Sequence, residues 1–337
     1  MVTIGIIGAG RIGKVHAESI SNYVRNARIK TVADPFMNDS TAQWLEGLGV
    51  QNTTKDYKEI LNDPEIEAVL ICSSTDTHSP ISLEAIAAGK HVFCEKPIDH
   101  DLSKIKQVVD ALKGTNLKYQ VGFNRRHDHN FAAVKQAILD GKVGDVHIIK
   151  ITSRDPAPPS PAYIAVSGGM FLDMTIHDFD MVRFLAGCDA EEIYVQSAVL
   201  VDPAIGEAGD VDTAVITLKM ENGAIAVIDN SRQAVYGYDQ RAEVFGSKGM
   251  AATANDTLSS MVLSNAEGVT GEKPLYFFLE RYMQSFATEI KGFIHAIEND
   301  TDTPVGVEDG LKPVLMGLAA KKSVEEHRPV KLSEIEY

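Results

Sequence analysis

An acid and an imidazole stand four residues apart at Asp173 and His177, and a lysine framed as Glu95-Lys96-Pro97 lies far upstream of them. An imidazole titrates near neutral pH and can take the proton of a hydroxyl group. On a helix, positions i and i+4 share a face, so Asp173 would orient His177 or hold a substrate hydroxyl. The ammonium of Lys96 would stabilise the negative oxygen that develops as hydride leaves a carbinol carbon. Alone, His177 reads as an ordinary helix histidine and Asp173 as a helix N-cap. Together with Lys96 they suit hydride transfer from a secondary alcohol.

A hydride needs an acceptor, and the N-terminus supplies a place for one. Met1 to Ile7 is an apolar run of strand type, followed at once by Gly8-Ala9-Gly10-Arg11-Ile12-Gly13. Gly8 permits a tight turn, Gly10 lets backbone approach a pyrophosphate, and Gly13 lets the next helix pack close. Helix N-terminal amides, beginning at Arg11 and Ile12, would face the anion. Asp34 follows Gly13 by 21 residues, at the end of the strand Arg28 to Ala33. A carboxylate there accepts from a ribose diol and repels a 2′-phosphate, which favours NAD over NADP. Arg11 is the one cation in the loop that would meet a phosphate.

Strands and helices alternate through about residue 122. Helices are expected over 56–61, 79–88 and 102–112, and strands over 67–72, 91–94 and 118–122. This pattern implies a parallel, doubly wound sheet. Lys96 then follows a strand at the carboxyl edge, where ligands bind in such sheets. From about Asp145 the strands 145–152, 192–200, 213–220 and 224–230 follow one another, with Asn222-Gly223 as a hairpin turn. They imply an α+β region with a large open, mostly antiparallel sheet. Helices return over 276–298 and 309–326. The expected division is 1–122 for a dinucleotide and 123–337 for substrate and oligomer contacts, with the C-terminal helix free to pack back on the first. The Pro-rich run 155–161 reads as a loop.

Composition narrows the class. The chain has 337 residues, enough for two cores. No segment has the unbroken apolar length of a membrane span, and no basic leader precedes the first strand, so the cytoplasm is the expected location. The net charge of −15 argues against a nucleic-acid partner. Cys72, Cys94 and Cys188 show neither metal-type spacing nor a disulfide framework. His127, Asp128 and His129 form a loose polar cluster of surface or pocket-rim type, so no metal is expected.

The pieces Gly8-x-Gly10-x-x-Gly13-x-x-His16, Ser73 to His78, Glu95-Lys96-Pro97, Asp173-x-x-x-His177-Asp178-x-Asp180 and Glu308-Asp309-Gly310 have a recognisable combination. Along essentially its whole length the chain resembles the Gfo/Idh/MocA oxidoreductase family. Val92 to Pro97, Gly122 to Arg126 and Tyr236 to Asp239 are similar to its bacterial inositol dehydrogenases. The resemblance implies NAD-dependent oxidation of a cyclic polyol, myo-inositol to its 2-ketone, in a homotetramer built through the second-domain sheet. Another inositol isomer or a sugar is the alternative substrate, and an NAD-binding sensor without turnover is a third reading. In the family Lys, Asp and His are the catalytic set, here Lys96, Asp173 and His177. The resemblance also implies that Ser73, Ser74, Thr75 and Glu95 meet the cofactor, while His78 either touches it or caps a helix. Asn124, Arg125, Asp155 and Tyr236 match polyol-contacting positions, and Asn124 and Asp155 depart from the commoner residues there.

Overall fold

Residues 1–336 are described in the computed structural model, and they divide into two compact units. The first comprises 1–127 and 283–314, the second 128–282 and 315–336. The first unit holds six parallel strands: β1 (Val2–Ile7), β2 (Ala27–Ala33), β3 (Asn52–Thr54), β4 (Ala68–Ile71), β5 (His91–Cys94) and β6 (Tyr119–Val121). Their order is β3-β2-β1-β4-β5-β6, the doubly wound arrangement expected from the alternation. All of β1 and β4 is buried, as strands covered on both faces must be. The helix Arg11–Tyr23 packs Ala17 and Ile20 onto this sheet, and the helix Met283–Asn299 adds Ile290, Phe293 and Ile294 to the same core.

Two helices depart most from expectation. The helix expected over 79–88 begins earlier, as Thr75–Ala87, and runs through Pro80. Its first turn is held by Thr77, whose hydroxyl donates to the Ser74 carbonyl at 2.7 Å. The helix expected over 276–298 is divided at Tyr282 into Phe278–Arg281 and Met283–Asn299. Arg281, which ends the first piece, is held by Asp128, with Nη2 donating to Oδ1 at 2.9 Å.

The second unit contains β7 (Val146–Arg154), β8 (Ala190–Ala198), β9 (Thr213–Met220), β10 (Ile225–Ser231), β11 (Asp239–Gly246) and β12 (Gly249–Ala252). A separate hairpin pairs β13 (Val262–Asn265) with β14 (Gly268–Gly271), and β15 (Val330–Lys331) joins β8. The seven-stranded order is β12-β11-β7-β10-β9-β8-β15. Every pair is antiparallel except β10 with β7. Gly223 takes φ +86 in the turn between β9 and β10, as the Asn-Gly signal requires. One sheet face stays open, and Val215, Ile225, Phe245 and Met250 are exposed on it.

Candidate functional site

The glycine loop of the first unit is shaped by contact, residue by residue. Gly8 has φ +103, and a Cβ there would lie 2.6 Å from the Cys72 carbonyl. At Gly13 a Cβ would come within 2.0 Å of the Gly8 oxygen. A Cβ on Gly10 would meet nothing within 4 Å. The two outer glycines are therefore required by the fold itself, while Gly10 leaves open space before the helix Arg11–Tyr23. That helix has no acid in its first turn and no side-chain cap, so its leading amides suit a pyrophosphate. Asp34 ties the loop down: Ala9 N–H donates to Oδ2 at 2.7 Å and Phe36 N–H to Oδ1 at 2.8 Å. Each carboxylate oxygen has a second lone pair for a ribose hydroxyl. These residues fit a dinucleotide.

The ends of β4 and β5 form the neighbouring part of this unit. Ser73 Oγ lies 2.6 Å from Thr77 Oγ1, and Ser74 is the N-cap residue of the helix Thr75–Ala87. His78 sits inside that helix and is buried, so it caps none of its amides. Its Nδ1 is 2.8 Å from the Pro97 carbonyl and its Nε2 is 3.0 Å from the Ser73 carbonyl. Burial lowers its pKa, but the Cys94 sulfur and these carbonyls outweigh burial and raise it to about 9. His78 thus joins the loop after β4 to the turn that carries Lys96. Glu95 is buried against Gly122, where a Cβ would lie 2.9 Å from its carboxylate. Lys96 follows it, partly exposed. Asn124 and Arg125 are both buried, in a short 3-10 turn, so Arg125 is not a surface cation.

In the second unit the acid and the imidazole do not share one continuous helix. One helix, Gly169–Asp173, ends at the acid, and the next, Ile176–Ala186, starts just before His177. Thr175 N–H reaches back five residues to Met170 O at 2.9 Å, whereas His177 N–H reaches three, to Met174 O at 3.3 Å. A buried polar relay pins this break: Thr175 Oγ1 donates to Asn230 Oδ1 at 2.6 Å, and Asn230 Nδ2 donates to Asp178 Oδ2 at 2.9 Å. Asp173 ends a helix instead of capping one. It accepts from Tyr163 Oη at 3.0 Å and from Arg232 Nη1 at 3.3 Å.

Arg232 and Tyr163 are absent from the sequence reading. Arg232 is buried, and its Nη1 also lies 3.6 Å from Asp155 Oδ2. The structure thereby gathers Asp155 and Asp173 on one guanidinium. The strand register explains the meeting: Ser231 stands opposite Arg154, which brings the next residues, Arg232 and Asp155, side by side. Tyr236 is engaged elsewhere. Its hydroxyl donates to Asp239 Oδ2 at 2.6 Å and accepts from Arg154 Nη1 at 3.1 Å. Burial opposes ionisation of Asp239, but donation from Arg241, Tyr236 and Asn255 wins and holds its carboxyl down at about 2. The His127–His129 segment also differs from a simple rim. Asp128 is buried, caps the helix His129–Leu139 and pairs with Arg281.

Comparison with known proteins agrees with this geometry. Residues 2–123 match the model of the oxidoreductase family with an NAD-binding Rossmann fold, and residues 131–252 match the Gfo/Idh/MocA C-terminal domain. A myo-inositol 2-dehydrogenase of Thermotoga maritima is 48% identical over 98% of this chain and 99% of its own. An inositol 2-dehydrogenase of Rhizobium meliloti is 45% identical over 98% of this chain and 99% of its own. The solved structure of a Lactobacillus casei myo-inositol dehydrogenase in complex with NAD(H) and myo-inositol superposes with a TM-score of 0.86 at 25% identity. It covers 100% of this chain and 97% of its own.

Proposed function

The chain belongs to the Gfo/Idh/MocA oxidoreductase family, and from that premise we propose that it oxidises myo-inositol at a ring secondary alcohol to 2-keto-myo-inositol with NAD. The observation that carries the reading is its likeness, along nearly the whole of both chains, to two inositol 2-dehydrogenases. NAD, when bound, accepts the hydride. The open space at Gly10 and the leading amides of the helix Arg11–Tyr23 receive its pyrophosphate. Asp34 accepts from the ribose diol and disfavours a 2′-phosphate.

The remaining roles belong to side chains. His177 takes the hydroxyl proton as hydride departs, so proton and hydride leave the same carbinol and a ketone remains. Lys96 stabilises the oxygen while it is negative. Asp173, held by Tyr163 and Arg232, orients a hydroxyl or the imidazole. Ser73, Ser74, Thr75 and Glu95 meet the nicotinamide half. Asn124, Arg125 and Asp155 supply polyol contacts. Tyr236, whose O–H donates to Asp239, contributes only as an acceptor. On this reading residues 1–122 bind NAD, and 123–337 bind substrate and build a homotetramer in the cytoplasm. The exposed apolar residues on the open sheet face support an assembly, and a one-chain mass by light scattering would remove that part. No helix among the described residues is long and apolar enough to cross a membrane.

The test is NADH formation across a panel of inositols and hexoses, with wild type and His177→Ala. Wild type should prefer myo-inositol. The variant should lose roughly 100-fold or more of kcat, the usual worth of a general base, and keep NADH affinity by fluorescence titration. A variant that retains near wild-type oxidation and an unaltered pH profile would move the base to Asp173.

A further inference from the structure

Three ionisable groups meet out of water in the first unit. His16 comes from the helix Arg11–Tyr23, Glu95 from the end of β5 and Glu289 from the helix Met283–Asn299. His16 and Glu289 are fully buried and Glu95 is nearly so. His16 Nε2 lies 2.6 Å from Glu95 Oε1, and one such atom from each of the three lies within 4.8 Å of the others. The wall is apolar: the rings of Phe93 and Phe286 stand edge-on to His16 at 5.1 and 5.7 Å. Cys72, buried beside Glu95 and Glu289, also faces the cluster. Among the described residues neither carboxylate oxygen of Glu289 has a hydrogen-bond partner.

Charge counting assigns the protons. Two ionised carboxylates beside one imidazolium would bury a net negative charge, which is strongly disfavoured in an apolar site. Neutrality requires two protons on the three groups. They sit on His16 and one acid, or on both acids. His16 contacts Glu95, and Glu289 has no cation or donor of its own. In each favourable arrangement, therefore, Glu289 carries a proton. Burial first, and then the charge of Glu95, push its carboxyl well above the usual range.

We propose that Glu289 is a positioning residue, a buried carboxylic acid that keeps the His16–Glu95–Glu289 cluster neutral and so fixes Glu95 as acceptor for the nicotinamide ribose. The role rests on the reading above that Glu95 meets that ribose. Glu289→Gln keeps shape and neutrality, whereas Glu289→Leu removes the polar group.

Infrared difference spectra between wild type and Glu289→Gln, from pH 6 to 9, should contain the C=O band of a protonated acid. Its absence overturns the proposal. NADH titrations over the same range should leave Glu289→Gln within about twofold of wild type. Glu289→Leu should weaken NADH about tenfold, one charge-assisted hydrogen bond's worth. Equal NADH affinity in wild type and Glu289→Leu overturns the positioning role. So does one divalent ion per chain by elemental analysis that Glu289→Gln lacks, since the cluster would then be a cation site. Glu95→Gln should also weaken NADH about tenfold. If it binds like wild type, the ribose reading falls, and the infrared band still decides where the proton is.

Discussion

Arg232 points one nitrogen, Nη1, at Asp173 Oδ2 across 3.3 Å, from a side chain that is only 3% exposed. The same nitrogen lies 3.6 Å from Asp155. A buried guanidinium that faces two acids fixes the charge around Asp173 before any substrate arrives, and it leaves Asp173 free to accept from Tyr163 as well. Fixed charge of this kind needs no reorganisation during reaction.

Arg232→Ala should therefore damage both stability and turnover. Breaking a buried ion pair costs about 3 kcal/mol or more, because the partner charge is left uncompensated. Misplacing Asp173 should lower kcat/KM for the polyol roughly 100-fold. Arg232→Lys should recover part of the stability but less of the rate, since a point charge cannot hold the same geometry. Thermal melts and steady-state kinetics on both variants check this. A variant with lowered melting temperature and untouched kcat/KM would leave Arg232 a purely structural role.

The glycine loop permits a sharper separation of fold from binding. Gly10→Ala introduces a Cβ that meets nothing, at a backbone conformation open to any residue. Its melting temperature should match wild type while NADH affinity falls at least about tenfold, because the Cβ occupies the approach of the pyrophosphate. Gly13→Ala presses a Cβ to within 2.0 Å of the Gly8 oxygen and should lose both stability and binding. Fluorescence titration beside calorimetric melting distinguishes them. Undiminished NADH binding by Gly10→Ala would put the pyrophosphate elsewhere.

What could be read from the sequence was local, and what was hidden was long-range. The spacing Gly8, Gly10, Gly13 and the distance to Asp34 encode one strand-turn-helix unit, and strands β5 and β9 and the helix Leu102–Leu112 match their expected limits. The break between Asp173 and His177 was not legible, because it depends on Asn230, 55 residues beyond Thr175. Arg232 escaped for the same reason: its partners precede it by 59 and 77 residues. The helix expected from residue 79 starts at Thr75 and runs through Pro80, its first turn held by the Thr77 hydroxyl on the Ser74 carbonyl. The resemblance implies a polyol contact for Tyr236, whose hydroxyl donates instead to Asp239 in a side-chain network that no spacing reveals.

The last prediction follows from His78. Both ring nitrogens face backbone carbonyls, Ser73 at 3.0 Å and Pro97 at 2.8 Å, and a carbonyl oxygen only accepts. Both bonds can form only if the ring is a doubly protonated imidazolium, in keeping with a pKa raised to about 9 despite burial. The sign follows from linkage: the folded state holds this proton more tightly than the unfolded chain, whose histidine titrates near 6.5. The stabilisation is complete below about pH 6.5 and is lost as pH rises through about 9. Over that window it amounts to something on the order of 3 kcal/mol. Melting curves from pH 6 to 10 should show wild type falling in this interval relative to His78→Gln, which has no proton to lose. NADH affinity of wild type should weaken over the same interval as the Ser73 loop loosens from the Lys96 turn. Parallel melting profiles for the two proteins would mean that the ring is neutral and that one of the two carbonyls goes without its donor.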